Sequence, residues 1–160
     1  MVTAKPSAAV LRVGIIDIAP PFDGRALVYR RDDVRFETDF YNQFAVDPDA
    51  MVAVAVTEWL GQSGLFRQVV PWSAAAATDY RLEAQVPALY VDFRQEPPAV
   101  LLEMHWQLLR ESDRSRVLAV DCRERVALAE RSPAGAARAY REALRRALAR
   151  LEAALAAASI

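Results

Sequence analysis

The chain is short of the residues that most chemistry requires. It has one cysteine, Cys122, one histidine, His105, and one lysine, Lys5, in 160 residues. A Cys/His zinc site cannot be built from one residue of each type, and no disulfide can close within a single copy. A lone lysine in the first few residues rules out a phosphate-loop or Schiff-base lysine in the folded body. Glycine is scarce, with five residues, and "GQSG" at Gly61–Gly64 lacks the spacing and the basic residue of a phosphate cradle, so it reads as a helix-ending turn. No apolar run reaches the roughly 18–20 residues that span a bilayer. The net charge of −1 removes the electrostatic argument for nucleic acid.

What remains is a globular composition: 54% hydrophobic, 26% charged, and long enough for one domain with its own core. Residues 1–9 (MVTAKPSAA) read as a tether, and residues 10–160 as a single domain. Val10–Ile18 is rich in β-branched residues and stops at Pro20-Pro21. Ala26–Arg31 and Arg35–Phe44 read as two strands joined by a tight turn at Asp32-Asp33. Asp47-Pro48-Asp49 starts a helix, with Asp47 placed to cap it, and the helix ends near Leu60, where Gly61 or Gly64 can turn left-handed.

Arg67–Val70 is a short strand, and three alternating runs follow. Tyr80–Val86, Val100–Leu108 and Leu118–Arg123 each set an apolar face against a polar one, the pattern of an antiparallel meander. Ser132-Pro133 opens a final helix to about Ala157, with Tyr140, Leu144, Leu148, Leu151 and Leu155 as its stripe. The expected fold is α/β: a mixed, largely antiparallel sheet with two main helices packed on it.

Three features bear on function. Phe36, Phe40 and Phe44 share one strand face, which reads as core, while Tyr41 projects among charges and reads as a surface anchor, with Tyr29 a weaker second. The first helix carries no charge from Ala50 to Thr57 and extends its apolar character through Trp59, so it is expected to be buried on more than one side, either by the sheet and neighbouring loops or by another protomer or a partner. The last helix carries Arg138, Arg141, Arg145, Arg146 and Arg150, which suit either a solvated face with pairs such as Glu142–Arg146, or an acidic partner or anionic headgroups. Cys122 falls on an apolar face, where its thiol stays protonated.

"FDGRALVYR", "FETDFYNQFAVDPDAMVAVAVTEWLGQSGLFRQVV" and "ATDYRLEAQVPAL" together resemble the ABC-type transport auxiliary lipoproteins that accompany MCE-domain lipid transport systems of Gram-negative bacteria, including the paraquat-inducible type. The resemblance rests on Asp23, Gly24, Arg25, Leu27, Tyr29 and Arg30, then Gly64, Phe66 and Val69, then Asp79, Tyr80 and Leu82. It implies a fold similar to anticodon-binding-like and TolB N-terminal-like domains. It also implies a non-enzymatic periplasmic component, with no cofactor, tethered to the outer membrane by a lipidated N-terminal cysteine. No cysteine precedes Cys122, so either that lipid belongs to an N-terminal segment absent from this chain or this member is unlipidated. Where the family often has an aromatic-Trp pair before the first helix, this chain has Gln43-Phe44.

The expected partner is therefore an MCE-domain protein, with self-association as a further possibility, through Tyr29, Arg30, Tyr41 and Trp59. One alternative is a lipid chain held between the first helix and the sheet by Val52, Val56 and Trp59. Another is a hydrolase using His105, although no G-x-S-x-G elbow accompanies it.

Overall fold

The computed structural model describes residues 7–160. Its elements are β1 (Val10–Ile18), β2 (Ala26–Arg30), β3 (Phe36–Gln43), α1 (Pro48–Ser63), β4 (Gln68–Val70), β5 (Tyr80–Asp92), β6 (Ala99–Arg110), β7 (Arg116–Ala127) and α2 (Pro133–Ala157). The strands form one seven-stranded mixed sheet with both helices packed on it. Of the expected tether, residues 1–6 lie outside the described residues. Residues 7–9 run beside β4: Ser7 N–H donates to Leu65 O at 3.0 Å, and Arg67 N–H to Ala9 O at 3.0 Å.

β5 organises the sheet. Along one edge it pairs antiparallel with β6 from Tyr80↔Arg110 to Asp92↔Ala99. Its other edge is divided between two parallel partners: β1, from Leu11↔Tyr80 to Ile18↔Val86, and β2, at Tyr29↔Val91 and Arg30↔Asp92. β5 is longer than the alternation predicts, continuing past Val86 through Pro87. The proline lacks a donor, and it falls inside the register shift between Gln85 and Ala88, where a missing ladder bond costs little. β7 extends the antiparallel run beyond β6, and β4 flanks β1 over Val10–Arg12 only.

Gly14 lies in the β1 bulge, where a Cβ would come within 3.1 Å of Leu82 O. A larger residue there would push the two strands apart.

The helix-facing side of β6 (Val100, Leu102, Met104, Trp106 and Leu108) is buried under α2, together with Leu148, Leu151 and Leu155. Each such side chain contributes about 1.5–3 kcal/mol by leaving water. The small residues Ala136, Ala139, Ala143 and Ala147 allow α2 to lie close on the sheet. Ser132 caps α2 through Gly135 N–H at 3.0 Å, but Asp47 does not cap α1 with its side chain. Instead Asp49 Oδ1 accepts from Ala50 N–H at 2.8 Å, and Gly64 closes the helix at φ 74°.

Two expectations about burial need correction. α1 buries only the stripe Pro48, Val52, Val56 and Leu60; nothing among the described residues covers its outer side, and Val54 is 58% exposed. Ala53, Ala55 and Trp59 on its flanks are partly buried against the core. Nor is the phenylalanine face of β3 a core face. β3 is an edge strand at the end of the strand order, and its register with β2 breaks between Asp39 and Gln43. Phe36 is partly exposed and packs on Phe22 and Tyr90, Phe40 is 74% exposed, and Phe44, beyond the break, packs on Tyr140.

Candidate docking surface

The β2–β3 hairpin is held rigid by its own polar groups. Asp32 Oδ1 accepts from Val34 N–H at 2.9 Å and Arg35 N–H at 2.7 Å, and these two bonds lower its pKa. Arg30 lies on the inner side of the turn. It donates to Asp32 O, Asp33 O and Tyr90 Oη, and its guanidinium lies over the Phe36 and Tyr90 rings. With Phe22, those rings form a small second core on the sheet face away from the helices. Tyr29 faces the opposite way and donates to Asp39 Oδ2 at 2.5 Å. Burial, followed by this bond, raises the Tyr29 pKa, while the same bond lowers that of Asp39. Asp39 also accepts from the backbone N–H groups of Tyr41 and Asn42.

This rigid frame presents apolar side chains to water. Tyr41 is 99% exposed, and Val34, Phe40 and Val46 are also exposed. A second apolar surface lies at the other end of the strand order, where a shallow groove of about 310 Å³ is lined by Val13, Gly14, Val54, Pro71 and Trp72. Trp72 is half-exposed and firmly placed. Arg12 donates to Trp72 O, Ala74 O and Ala76 O at 2.7–2.9 Å, and Arg81 sits over the indole. A third groove, of about 480 Å³, runs between α1 and α2 over Ala55, Trp59, Leu144 and Leu148, and is bordered by Arg138, Arg141 and Arg145. Trp59 is fixed there by its Nε1–H bond to Glu152 Oε2 at 2.6 Å.

His105 lies on the uncovered sheet face, with Nδ1 2.7 Å from Asp121 Oδ1 and Nε2 3.6 Å from Glu103 Oε1. The depression beside it, about 360 Å³, is lined by carboxylates, amides, Arg116 and apolar residues, without a serine, threonine or cysteine. Cys122 points the other way, 2% exposed, its Sγ–H directed at Ala147 O, and burial raises its pKa. A nucleophile beside the histidine would have to come from elsewhere. Among the described residues, no group of three metal-ligating side chains comes together.

The four expected anchors therefore do not form one site. Tyr41 is a free surface ring, Trp59 is half-buried in the helix–helix groove, and Tyr29 and Arg30 hold the hairpin from within. Val52 and Val56 are 3% and 0% exposed, so an acyl chain entering beneath α1 would have to displace packed core. The apolar groove beside α1 lies on its outer side, at Val54. Two features went unread in the sequence. Trp72 had a usable signal: a tryptophan after proline and before "SAAAATD", with no period to bury it. The buried carboxylate of Asp92 had only a weak one: Arg94 is its neighbour two residues on, but its burial and its second partner, Arg125, come from the tertiary fold.

A family model described as "ABC-type transport auxiliary lipoprotein component" matches residues 1–156. No curated protein sequence matches the chain. Among solved structures, a Xanthomonas campestris protein of the DUF330 family superposes with a TM-score of 0.83 at 22% identity, covering 93% of this chain and 85% of that one. A hypothetical protein of Chlamydia trachomatis gives a TM-score of 0.61 at 11% identity, covering 94% and 99%. The PelC dodecamer of Paraburkholderia phytofirmans gives 0.52 at 12% identity, covering 88% and 86%. At such identities the likeness is one of fold.

Proposed function

This chain belongs to the family of ABC-type transport auxiliary lipoprotein components, and from that premise we propose that it is a non-catalytic periplasmic subunit of an MCE-type lipid transport system. It acts as a rigid docking block near the outer membrane, in a precursor whose N-terminal lipid holds it there. One observation carries this reading: an exposed tryptophan, Trp72, is held in place on a domain whose single histidine lies in a depression without a serine, threonine or cysteine. The Trp72 backbone is gripped by Arg12 and its face is covered by Arg81, so little conformational entropy remains to be lost when a partner covers it.

The proposed contact for the MCE-domain protein is the shelf of Trp72, Val54 and Pro71. Tyr41 and Trp59 serve contacts elsewhere on the molecule, with Tyr29 and Arg30 holding the hairpin in place for them. The test is crosslinking and affinity capture from a bacterial envelope, comparing the native chain with Trp72→Ala. The native chain is expected to recover an MCE-domain protein, and the variant to lose most of it while melting normally. If the native chain recovers none, the reading fails.

A further inference from the structure

We infer that the open edge of β1 takes up an extended segment of the transport partner as an added strand. The segment pairs with Ile16 and Ile18, sets an apolar side chain in the groove of Val54 and Trp72, and turns basic side chains toward Asp17. The inference deepens the docking reading and rests on it for the partner's identity.

The backbone supplies the first argument. β4 covers one edge of β1 only over Val10–Arg12, while β5 follows the other edge to Ile18. Past the bulge the β1–β5 register is regular, from Ile16↔Ala84 to Ile18↔Val86, and Ala19 N–H donates to Val86 O at 3.0 Å. Successive residues of a strand direct their N–H and C=O groups to opposite edges. Asp17 and Ala19 therefore serve β5, and Ile16 and Ile18 direct theirs at the edge that β4 has left. Among the described residues no strand pairs with that edge and no hydrogen bond meets those groups. Such an edge is a template for one more strand.

The side chains on its two flanks supply the second. On the helix side the edge begins at the apolar groove of Val13, Gly14, Val54, Pro71 and Trp72. On the open side Ile15 is 57% exposed, and Asp17 is exposed and in no ion pair among the described residues. The nearby bases are engaged: Arg12 holds the carbonyls of the 72–76 loop, and Arg81 is bound to Glu111 and Glu83. The depression that Asp17 shares adds Glu83 and Asp121 against one base, Arg116, which stands across β5 and β6 on β7. Glu58 on the groove rim also borders the α1–α2 groove and its Arg141, so the selection of a base rests on Asp17.

An extended strand whose apolar and basic residues alternate meets all three features at once, because its side chains point to opposite faces in turn. An acyl chain would fill the groove and leave Ile16 and Ile18 without partners.

The experiment is an NMR titration of the native chain with a synthetic capped peptide of about seven residues that alternates leucine and lysine. Saturable binding is expected, with slowed amide exchange at Ile16 and Ile18 and a shifted Trp72 indole signal. Glutamate in place of lysine should weaken binding about tenfold or more. Two further peptides are N-methylated on one or the other set of alternate residues; one should lose binding and the other keep it, since only one set faces the edge. Val54→Arg and Asp17→Lys change exposed side chains, so each should melt normally and weaken the lysine peptide about tenfold, and Asp17→Lys should recover the glutamate peptide. The inference is overturned if the lysine peptide does not saturate, if Ile16 and Ile18 stay unprotected, or if both N-methylated peptides bind like the parent. It is also overturned if protection of those amides rises with protein concentration alone, which would give the edge to a second copy. Capture of the MCE-domain protein through Trp72 with Ile16 and Ile18 unprotected would sink this inference and leave the docking reading intact. Peptide binding without any such capture would do the reverse.

Discussion

Asp92 ends β5 where that strand meets β2, and it is only 3% exposed. Its carboxylate receives Arg94 Nε and Nη2 at 3.0 Å each, Arg94 N–H at 3.0 Å and Arg125 Nη1 at 3.2 Å. Arg94 also reaches Asp33 at 2.9 Å, so the cluster ties the hairpin turn to the centre of the sheet. The Arg94 bonds lower the Asp92 pKa from 3.8 to about 2, against the opposing effect of burial.

A carboxylate whose folded pKa is depressed contributes stability above its unfolded pKa and loses it as pH falls through the folded value. At about 1.4 kcal/mol per unit, the contribution at neutral pH is about 2 kcal/mol. Asp92→Asn keeps the shape and removes the charge, so it should cost that amount and lower the melting temperature by about 4–8 °C. Urea unfolding of both proteins across acid pH is the assay. The gap between them should be constant down to about pH 5 and close as pH falls toward about 2. A gap that persists unchanged at acid pH would refute the electrostatic account and leave only lost geometry. No gap at neutral pH would refute the cluster's role altogether.

Two other perturbations test the fold that holds the docking surfaces. A Cβ at Gly135 would lie 1.9 Å from Glu130 O, a backbone atom that cannot swing away; Gly135→Ala should therefore destabilise the chain by about 2–4 kcal/mol in a urea melt, and a neutral result would mean that the α2 entry can shift freely. Arg12→Met keeps the aliphatic stem but removes the bonds to three carbonyls of the 72–76 loop. Hydrogen exchange and limited proteolysis should rise in that loop alone, with little change in global stability, and unchanged protection would show that Trp72 is held by something else.

The strands and helices were legible in the sequence wherever a local rule governs them. Proline and serine mark the start of α2, Gly64 marks the end of α1, and alternation marks which side of β6 is buried. The same rules failed at β3 and α1. Period two puts Phe36, Phe40 and Phe44 on one face, but the register of β3 breaks between Asp39 and Gln43, so that Phe36 packs on Tyr90 and Phe44 on Tyr140; it is also silent on whether anything covers a face. An apolar helix was expected to be enclosed within the chain or by a partner, yet within the chain α1 buries one stripe and leaves Val54 exposed. Resemblance to the transport auxiliary family was readable from Asp23–Arg30 and Asp79–Leu82. Several of those residues are structural: Asp79 accepts from Val10 N–H at 2.8 Å, and Arg25 donates to Phe44 O at 3.1 Å.

The amino-acid order thus settled by itself the kind of fold, most element boundaries apart from the far end of β5, and the family, because these depend on neighbours along the chain. Tertiary structure alone decided which rings reach solvent, which arginines are already paired, and that Tyr41 and Trp59 lie on different surfaces. Those properties depend on which strand is an edge and which helix face is left uncovered, and no local pattern encodes that.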